Sequence, residues 1–201
     1  MITVGLTGSI ATGKSEISRM FAAANVPVFD ADAEVHQLYA EGSTADLIGK
    51  TFPQVIVNRS VDRQLLAARV LGSPQDLKKL ELLVHPLVKL RSAKFVSHWR
   101  KKHCEFVVLS IPLLFEIGGD QELDYVVVVS ANEDVQRNRA MARPGMTQEK
   151  LDNILARQLP DAVKRSGADF VIENSGSMEH LRMQVDALMK KLGELARDQK
   201  L

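Results

Sequence analysis

The sequence predicts an α/β fold with a mainly parallel sheet of five strands, and three observations support it. Five short runs are apolar along nearly their whole length, as strands covered on both faces require. Longer segments with helical periodicity separate these runs, which is the order that parallel crossovers produce. The chain has 201 residues, of which 45% are apolar and 25% charged, so it can form one globular domain with a substantial core.

The predicted strands are rich in valine, isoleucine and other β-forming residues. They are ITVGLT at 2–7, VPVFDA at 26–31, FVVLSIP at 106–112, YVVVVSA at 125–131 and DFVIEN at 169–174. Right-handed crossovers would place the carboxyl ends of these strands along one edge of the sheet. Ligands bind at that edge in open α/β folds.

A long helical insertion interrupts the alternation at 59–103, where no strand is apparent. Leu77, Leu80 and Val84 fall on one face of a helix. Pro86 is predicted to end that helix and to begin a second one, because proline fits the first turn of a helix but not its interior.

Two further helical regions follow. Residues 133–160 contain two charged helical stretches joined by RPGM. The final helix, from about Ser177, has one apolar stripe that a core-facing helix explains. Its members are Leu181, Val185, Leu188, Leu192 and Leu195.

The composition excludes several classes of protein. Lys and Arg number 26 against 25 Asp and Glu, and a net charge of +1 argues against general binding to nucleic acid or anionic lipid. Cys104 is the only cysteine, so an intramolecular disulfide and a cysteine-rich zinc site are excluded. The N-terminus has no signal-peptide pattern, and YVVVVSA is too short to cross a bilayer. We therefore expect a cytoplasmic protein, as a monomer or small homo-oligomer.

The stretch GLTGSIATGKSE contains a phosphate-binding loop. Gly8, Gly13, Lys14 and Ser15 satisfy G-x-x-x-x-G-K-[ST], between a predicted strand and a predicted helix, SEISRMFAAA. In this motif, backbone N–H groups surround the phosphates at the positive end of the helix. The lysine binds the β- and γ-phosphates, and the hydroxyl of Ser15 binds Mg²⁺. The sequence therefore predicts binding of a nucleoside triphosphate with Mg²⁺.

Two classes of nucleotide-binding protein fit poorly. A GTP switch protein needs an N-K-x-D motif, which is absent, and DLIG at 46–49 matches D-x-x-G without a preceding apolar strand. A motor-type ATPase needs a carboxylate at the end of a buried strand, whereas FVVLSIP ends in Ser110, Ile111 and Pro112.

A kinase needs an acid beside the acceptor hydroxyl, and the second strand supplies candidates. Asp30 and Asp32 follow it in FDADAEVH. If the strand persisted, both side chains would point to the same side. An N-cap carboxylate is the alternative explanation for one of them.

Cations that close over the phosphoryl group are the second requirement of a kinase. In DVQRNRAMARPGM, Gln136, Arg139 and Arg143 share one helical face, and Arg157 follows on the second stretch. Arg143 precedes a Pro-Gly joint at which a lid could hinge. A positioned arginine accelerates phosphoryl transfer by about 10³- to 10⁵-fold.

The chain resembles the dephospho-CoA kinase family over nearly its whole length. The matching segments, in order, are GLTGSIATGKS, VFDADAEVH, VDRQLL, LELLVHPLV, LSIPLLFE, DYVVVV, VQRNRAMAR, the RQ pair at 157–158 and ADFVIENSGS. The resemblance implies ATP-dependent phosphorylation of the ribose 3′-hydroxyl of dephospho-CoA, which yields CoA and ADP in the last step of CoA biosynthesis.

The resemblance also implies a domain organisation. The chain would have a three-layer P-loop kinase fold, with a core at 1–58, 104–132 and 161–201. Residues 59–103 would form a helical substrate domain that binds dephospho-CoA, and residues 133–160 would form the lid.

The roles of individual residues are carried over from the matching motifs. Asp32 would be the general base or the orienting acid for the acceptor hydroxyl, and Arg143 with Lys14 would stabilise the transferring phosphoryl group. The resemblance implies these ATP-binding residues: Gly8, Ala11, Thr12, Gly13, Lys14, Ser15, Glu16, Arg139, Asn174 and Gly176. It implies these substrate-binding residues: Asp32, His85, Pro112, Leu113, Leu114 and Glu116. For His85, a helix-end cap or a packed residue remains an alternative.

The phosphate-binding loop departs from the family at three positions, with Ser9 and Ala11 in place of glycine and Glu16 in place of threonine. Neither Ser9 nor Ala11 replaces a glycine of the motif itself. Two other functions remain open at this point: a related kinase for small molecules or nucleoside monophosphates, and a catalytically silent nucleotide-binding switch.

Overall fold

A computed structural model describes residues 1–70 and 72–198. The described residues divide into two compact units, the first formed by Met1–Phe29 with the residues from Val96 onward, and the second by Asp30–Phe95. The predicted ranges 59–103 and 161–201 each include positions outside the described residues.

Seven strands and nine α-helices are present in the described part of the chain. The strands are β1 (Ile2–Gly8), β2 (Val28–Asp30), β3 (Ile56–Val57), β4 (Ser60–Val61), β5 (Phe106–Ser110), β6 (Tyr125–Ser130) and β7 (Phe170–Glu173). The helices are α1 (Lys14–Ala23), α2 (Ala31–Ala40), α3 (Gly42–Gly49), α4 (Arg63–Val70), α5 (Pro74–Lys101), α6 (Glu133–Met141), α7 (Gln148–Leu155), α8 (Asp161–Ser166) and α9 (Met178–Asp198).

The first unit is built on a five-stranded sheet in the order β2-β5-β1-β6-β7. Strand β1 pairs in parallel with β5 and β6, and β6 pairs in parallel with β7. All five strands coincide with the predicted runs to within a few residues. The prediction of an α/β fold with a mainly parallel sheet is therefore confirmed.

Both faces of this sheet are covered, one by α1 and α9 and the other by the segment around Leu114, which explains the continuous apolarity of β6. Val127 and Val129 pack in a core cluster with α1 and α9, whereas Val126 and Val128 pack on the opposite face against Leu114. Successive strand residues point to opposite faces, so both sets must be apolar when both faces are buried. The predicted stripe of α9 lies in the first cluster: Leu181, Val185, Leu188 and Leu192 are buried, and Leu195 is partly buried.

The second unit has its own apolar core. Ala45, Ile48, Phe52 and Val55 pack in one cluster with residues of α4 and α5, including Val84. Residues between 45 and 55 therefore contribute to the core of the second unit. The boundaries of this unit, 30 and 95, thus differ from the predicted 59 and 103, because the apolar side chains after β2 complete this core.

Two local predictions in this region were wrong. The stretch at 59–103 is not free of strands, because β4 pairs antiparallel with β3. Asn58 and Arg59 between them have φ of 50° and 61°, and two successive positive φ values are typical of a tight hairpin turn. A two-residue strand has too short a pattern to be recognised in the sequence.

The second wrong prediction was a helix break at Pro86, since α5 runs through this position without interruption. Proline removes one N–H and crowds the carbonyl four residues earlier, here that of Leu82. Leu82 and Pro86 are both exposed, so water can reach that carbonyl. Leu80 and Val84 are anchored in the core of the second unit just before the proline.

The two charged stretches at 133–160 are helical, as predicted, in α6 and α7. Gly145 in the loop between them has a φ of 72°, which glycine adopts without strain. Within residues 1–70 and 72–198, no helix combines the length and the apolarity that a membrane span requires.

Candidate active site

The phosphate-binding loop connects β1 to α1. The helix begins at Lys14, and its N-cap residue, Gly13, provides no side-chain cap. The first N–H groups of a helix have no partner within it, and the helix dipole makes this end positive. The start of α1 is therefore suited to bind an anion such as a phosphate.

Neighbouring atoms leave no room for a side chain at either glycine of the motif. A Cβ atom on Gly8 would lie 2.6 Å from the carbonyl oxygen of Val129 and 2.7 Å from Oγ1 of Thr12. Gly13 has a φ of 104°, and a Cβ atom there would collide with the side-chain amide of Asn174. A side chain at either position would displace the loop.

Asn174 holds the loop in this shape. Its Nδ2 donates a hydrogen bond of 2.7 Å to the carbonyl of Thr12, and its own carbonyl accepts one of 2.8 Å from Nη1 of Arg139. Asn174 and Thr12 are both buried. The structure thus brings four predicted ATP-binding residues together: Thr12, Gly13, Arg139 and Asn174. Gly176 lies two residues after Asn174 and is exposed.

Lys14 contacts Ser110, which was not among the predicted site residues. Its Nζ donates a hydrogen bond of 2.7 Å to Oγ of Ser110, and Oγ of Ser18 lies 3.2 Å from the same atom. Ser110 is buried at the end of β5, the strand beside β1. The rule that ligands bind at the carboxyl ends of parallel strands was the signal that could have identified it.

Ala11 has a φ of 61°, a left-handed conformation that glycine adopts at lower cost. Its methyl group is nearly buried in a small apolar cluster with Ala140 of α6 and Leu151 of α7. The alanine in place of the family's glycine therefore gains packing against the two helices of the predicted lid.

Glu16 lies in the first turn of α1, where an acid favours the helix but repels a phosphate. Its Oε2 lies 2.5 Å from Nη2 of Arg19, one turn further along. This ion pair partly neutralises the carboxylate. The pairing with Arg19 explains how an acidic residue is tolerated beside a phosphate-binding loop.

Ser15 is exposed beside Lys14, so its hydroxyl can reach a ligand at the mouth of the loop. A hydroxyl oxygen is a suitable ligand for a hard cation such as Mg²⁺. Among the residues that the structure describes, no group of three or more His, Cys, Asp and Glu side chains could hold a metal ion.

The predicted lid arginines are exposed. Arg143 follows the end of α6 by two residues and precedes the turn at Gly145, and Arg157 follows α7. The helix thus ends before Arg143, so that residue does not share the helical face of Gln136 and Arg139.

The residues of the PLLFE segment differ in their exposure to solvent. Leu113 is exposed, whereas the side chain of Leu114 is fully buried in the core. The carbonyl of Pro112 accepts a hydrogen bond of 3.1 Å from Oγ1 of Thr7. A contact of Leu114 with a substrate would therefore involve its backbone.

Glu116 forms a buried ion pair, with its Oε1 2.8 Å from Nζ of Lys164, whose side chain is fully buried. The same oxygen accepts a hydrogen bond of 2.8 Å from the N–H of Leu159. Burial raises the pKa of Glu116, but the hydrogen bonds from Lys164 and Leu159 outweigh it, so the pKa lies below its ordinary value. The carboxylate is thus engaged within the protein.

Three predicted residues belong to the second unit. Asp30 is the N-cap of α2, and its carboxylate accepts hydrogen bonds from the N–H groups of Asp32 and Ala33. The N-cap role therefore falls to Asp30, which leaves the carboxylate of Asp32 exposed in the first turn. His85 is exposed on α5 rather than packed or at a helix end.

The chain is similar to known proteins over nearly its full length. A family model described as dephospho-CoA kinase matches residues 2–180. A dephospho-CoA kinase of Brucella melitensis is 50% identical over 192 residues, which cover 96% of each chain. The crystal structure of a Thermus thermophilus protein is 34% identical, covers 95% of this chain and 97% of its own, and superposes with a TM-score of 0.81. The dephospho-CoA kinase of Campylobacter jejuni, at 24% identity, covers 96% and 97% with a TM-score of 0.73, which shows a shared fold.

Proposed function

We propose that this protein transfers the γ-phosphoryl group of ATP to the ribose 3′-hydroxyl of dephospho-CoA. The chain belongs to the dephospho-CoA kinase family, which phosphorylates dephospho-CoA to make CoA in the last step of CoA biosynthesis. It is a kinase with the P-loop kinase fold. The observation that carries the proposal is the phosphate-binding loop, which has the uncapped start of α1, Lys14 and two sterically required glycines in one place.

The loop would bind the phosphates of ATP through backbone N–H groups of the segment from Ala11 to Glu16, apart from those of Thr12 and Glu16, which bind the carbonyls of Ser9 and Gly13. Lys14 would bind the β- and γ-phosphates, with Ser110 orienting its ammonium group. Because phosphoryl transfer offers the protein little covalent chemistry, most of the acceleration comes from positioning and from stabilisation of charge. Gly8, Thr12, Gly13, Arg139, Asn174 and Gly176 would complete the ATP site.

Ser15 would hold Mg²⁺ together with phosphate oxygens of ATP. The exposed hydroxyl beside the loop fits this role. The cation supplies neutralisation of the charge that develops on the phosphates during transfer.

Asp32 would orient and deprotonate the acceptor hydroxyl. The support for this role is that Asp30 serves as the N-cap and leaves the Asp32 carboxylate exposed. Arg143 would stabilise the transferring phosphoryl group from the exposed loop after α6. His85, Pro112 and Leu113 would contact dephospho-CoA. Leu114 and Glu116 would shape the acceptor site from within the protein.

The domain roles follow from these assignments. Residues 133–160 would form the lid, and the helical insertion predicted at 59–103 would bind dephospho-CoA. The compact unit at 30–95, with its own core, supports a separate acceptor-binding domain. We further propose a cytoplasmic monomer or small homo-oligomer that binds neither nucleic acid nor membranes.

A parallel acceptor assay tests this function. ADP release would be measured with ATP, Mg²⁺ and one acceptor at a time: dephospho-CoA, nucleoside monophosphates, small sugars, or CoA. We expect multiple turnovers with dephospho-CoA alone. CoA is the matched control, because its ribose 3′-hydroxyl already carries a phosphate. Equal ADP release with CoA would contradict transfer to that hydroxyl, and a lack of turnover with every acceptor would favour a silent nucleotide-binding protein.

A further inference from the structure

Both backbone polar groups of Ile10, in the phosphate-binding loop, are bound by glutamine side chains. The N–H of Ile10 donates a hydrogen bond of 3.0 Å to Oε1 of Gln158. The carbonyl of Ile10 accepts a hydrogen bond of 2.8 Å from Nε2 of Gln136. Because an N–H can only donate and a carbonyl can only accept, these partners determine the orientation of the side-chain amides of Gln136 and Gln158.

These contacts determine the direction of the next N–H in the loop. A trans peptide is planar, with its carbonyl and its N–H pointing in opposite directions. The carbonyl of Ile10 points to Gln136, so the N–H of Ala11 points away from Gln136. Ala11 then takes a left-handed φ of 61°. Alternating right- and left-handed residues make successive N–H groups converge on an anion.

Each glutamine lies close in the chain to residues that are held by packing or hydrogen bonds. Gln158 precedes Leu159, whose N–H binds Glu116, and Glu116 pairs with the buried Lys164. Gln136 lies on α6, which packs Ala140 against Ala11 of the loop. Ordered surroundings of this kind are what a positioning side chain needs.

We propose that Gln136 and Gln158 are positioning residues that clamp Ile10 and thereby aim the Ala11 N–H at the phosphates of ATP. Neither glutamine touches the nucleotide in this proposal. The clamp connects the phosphate-binding loop to the two ends of the helical region at 133–160. The proposal rests on ATP binding at this loop, as in the proposed function.

The two Gln→Glu variants form a matched pair. Gln158→Glu keeps an acceptor for the Ile10 N–H, whereas Gln136→Glu removes the donor that the structure shows for the Ile10 carbonyl and places a carboxylate against it. Both variants add the same negative charge beside the loop. Gln158→Leu removes the acceptor without adding charge. Gln148→Leu is the control, because Gln148 is exposed and the hydrogen bond that the structure shows for its amide goes to Asp152 on the same helix, α7.

The affinity for a non-hydrolysable ATP analogue, without acceptor, is the first measurement. We expect Gln136→Glu and Gln158→Leu to weaken it about tenfold, the usual effect of leaving one partly buried hydrogen-bonding group unpaired. Gln158→Glu should lose much less, and Gln148→Leu nothing. The KM for ATP should rise in parallel while the KM for dephospho-CoA stays constant.

The outcomes separate positioning from mere stability. A destabilised enzyme loses active molecules and hence apparent kcat, but keeps its KM for ATP. Unchanged analogue affinity in Gln136→Glu and Gln158→Leu would overturn the proposal. Equal losses in the two Gln→Glu variants would do so too, because they would trace the effect to charge. Since analogue binding needs no acceptor, this result is independent of whether dephospho-CoA is the substrate.

Discussion

The ammonium group of Lys14 donates a hydrogen bond of 2.7 Å to the hydroxyl of Ser110, a buried residue at the end of the neighbouring strand β5. The contact joins the first turn of α1 to the sheet edge at which ligands bind in folds of this class. A hydroxyl orients the ammonium without the charge neutralisation that a carboxylate would bring. Ser110 is therefore expected to matter for nucleotide binding although it lies outside the sequence motif.

A double-mutant cycle tests this contact. Lys14→Met removes the charge and should reduce affinity for an ATP analogue strongly. Ser110→Ala should reduce it by about tenfold, a typical effect for one hydrogen bond to a charged group. If Ser110 acts through Lys14, Ser110→Ala should have little further effect in the Lys14→Met background. Additive losses in the double variant would contradict that coupling.

Gly13→Ala should abolish tight ATP binding and destabilise the fold by more than about 2 kcal/mol, because it combines a positive φ with a collision against Asn174. Gly118→Ala is the matched control, since Gly118 has a φ of 66° but open space around its Cβ position. That variant should lose only about 1 kcal/mol, from backbone strain alone. Urea unfolding and analogue binding measure both effects. Equal destabilisation by the two variants would show that the contact with Asn174 has no influence.

Asp32→Asn should lower kcat by about 10²- to 10⁴-fold, the usual contribution of a general base, while ATP still binds. Asp30→Asn is the control, because asparagine also caps helices and can still accept hydrogen bonds from the N–H groups of Asp32 and Ala33. Steady-state kinetics with dephospho-CoA distinguish the two. If Asp30→Asn proved to be the more damaging variant, the base would be Asp30.

The ion pair of Glu116 and Lys164 should make stability depend on pH. The pKa of Glu116 is lowered in the folded state, so its contribution is present above the ordinary value of about 4.3 and is lost as pH falls through the folded pKa. Glu116→Gln should cost roughly 3 kcal/mol at pH 7, because it leaves the buried Lys164 without its charged partner.

The free energies of unfolding of wild type and Glu116→Gln, measured from pH 7 down to pH values below about 4, check this prediction. Their difference should be constant near neutrality and should shrink at the acidic end. A difference that stayed constant over the whole range would show that the Glu116 carboxylate is not stabilised by its partners in the folded protein.

Pro86→Ala should stabilise the protein by about 1 to 2 kcal/mol. A proline inside a helix costs about 3 kcal/mol, and part of the gain from its removal is offset because alanine makes the unfolded chain more flexible. Pro74→Ala is the control: Pro74 is the first residue of α5, a position that favours proline. The Pro74→Ala variant should leave the denaturation midpoint nearly unchanged or lower it slightly. A destabilised Pro86→Ala variant would mean that the proline makes contacts that outweigh its cost to the helix.

Much of the fold could be predicted because its determinants are local. The continuous apolar run of β6 reflects burial of Val127 on one face and Val128 on the other. The glycines of the phosphate-binding loop follow from the backbone conformation that an anion requires at the start of α1, and the lysine follows from the need for positive charge beside the phosphates. Asp30 as an N-cap was also within reach of the sequence, since capping depends on neighbouring N–H groups.

Other features depended on neighbours that are distant in the chain. Leu114 lies in the PLLFE motif, but its burial against Val126 and Val128 becomes visible only when β6 is in place. Nothing in the sequence around Glu116 indicates its ion pair with Lys164, which lies 48 positions further along the chain. The continuity of α5 through Pro86 depends on the anchoring of Leu80 and Val84 in a core that residues 45–55 complete.

The sequence by itself determined the five strands of the parallel sheet, the phosphate-binding loop and the family, because periodicity, turn chemistry and motif spacing are encoded in adjacent residues. The tertiary structure decided which polar groups hold that loop. Ser110, Gln136, Gln158 and Asn174 reach it from four separate segments. A hydrogen bond requires its two atoms within about 3 Å, and only the folding of the chain brings such distant residues that close.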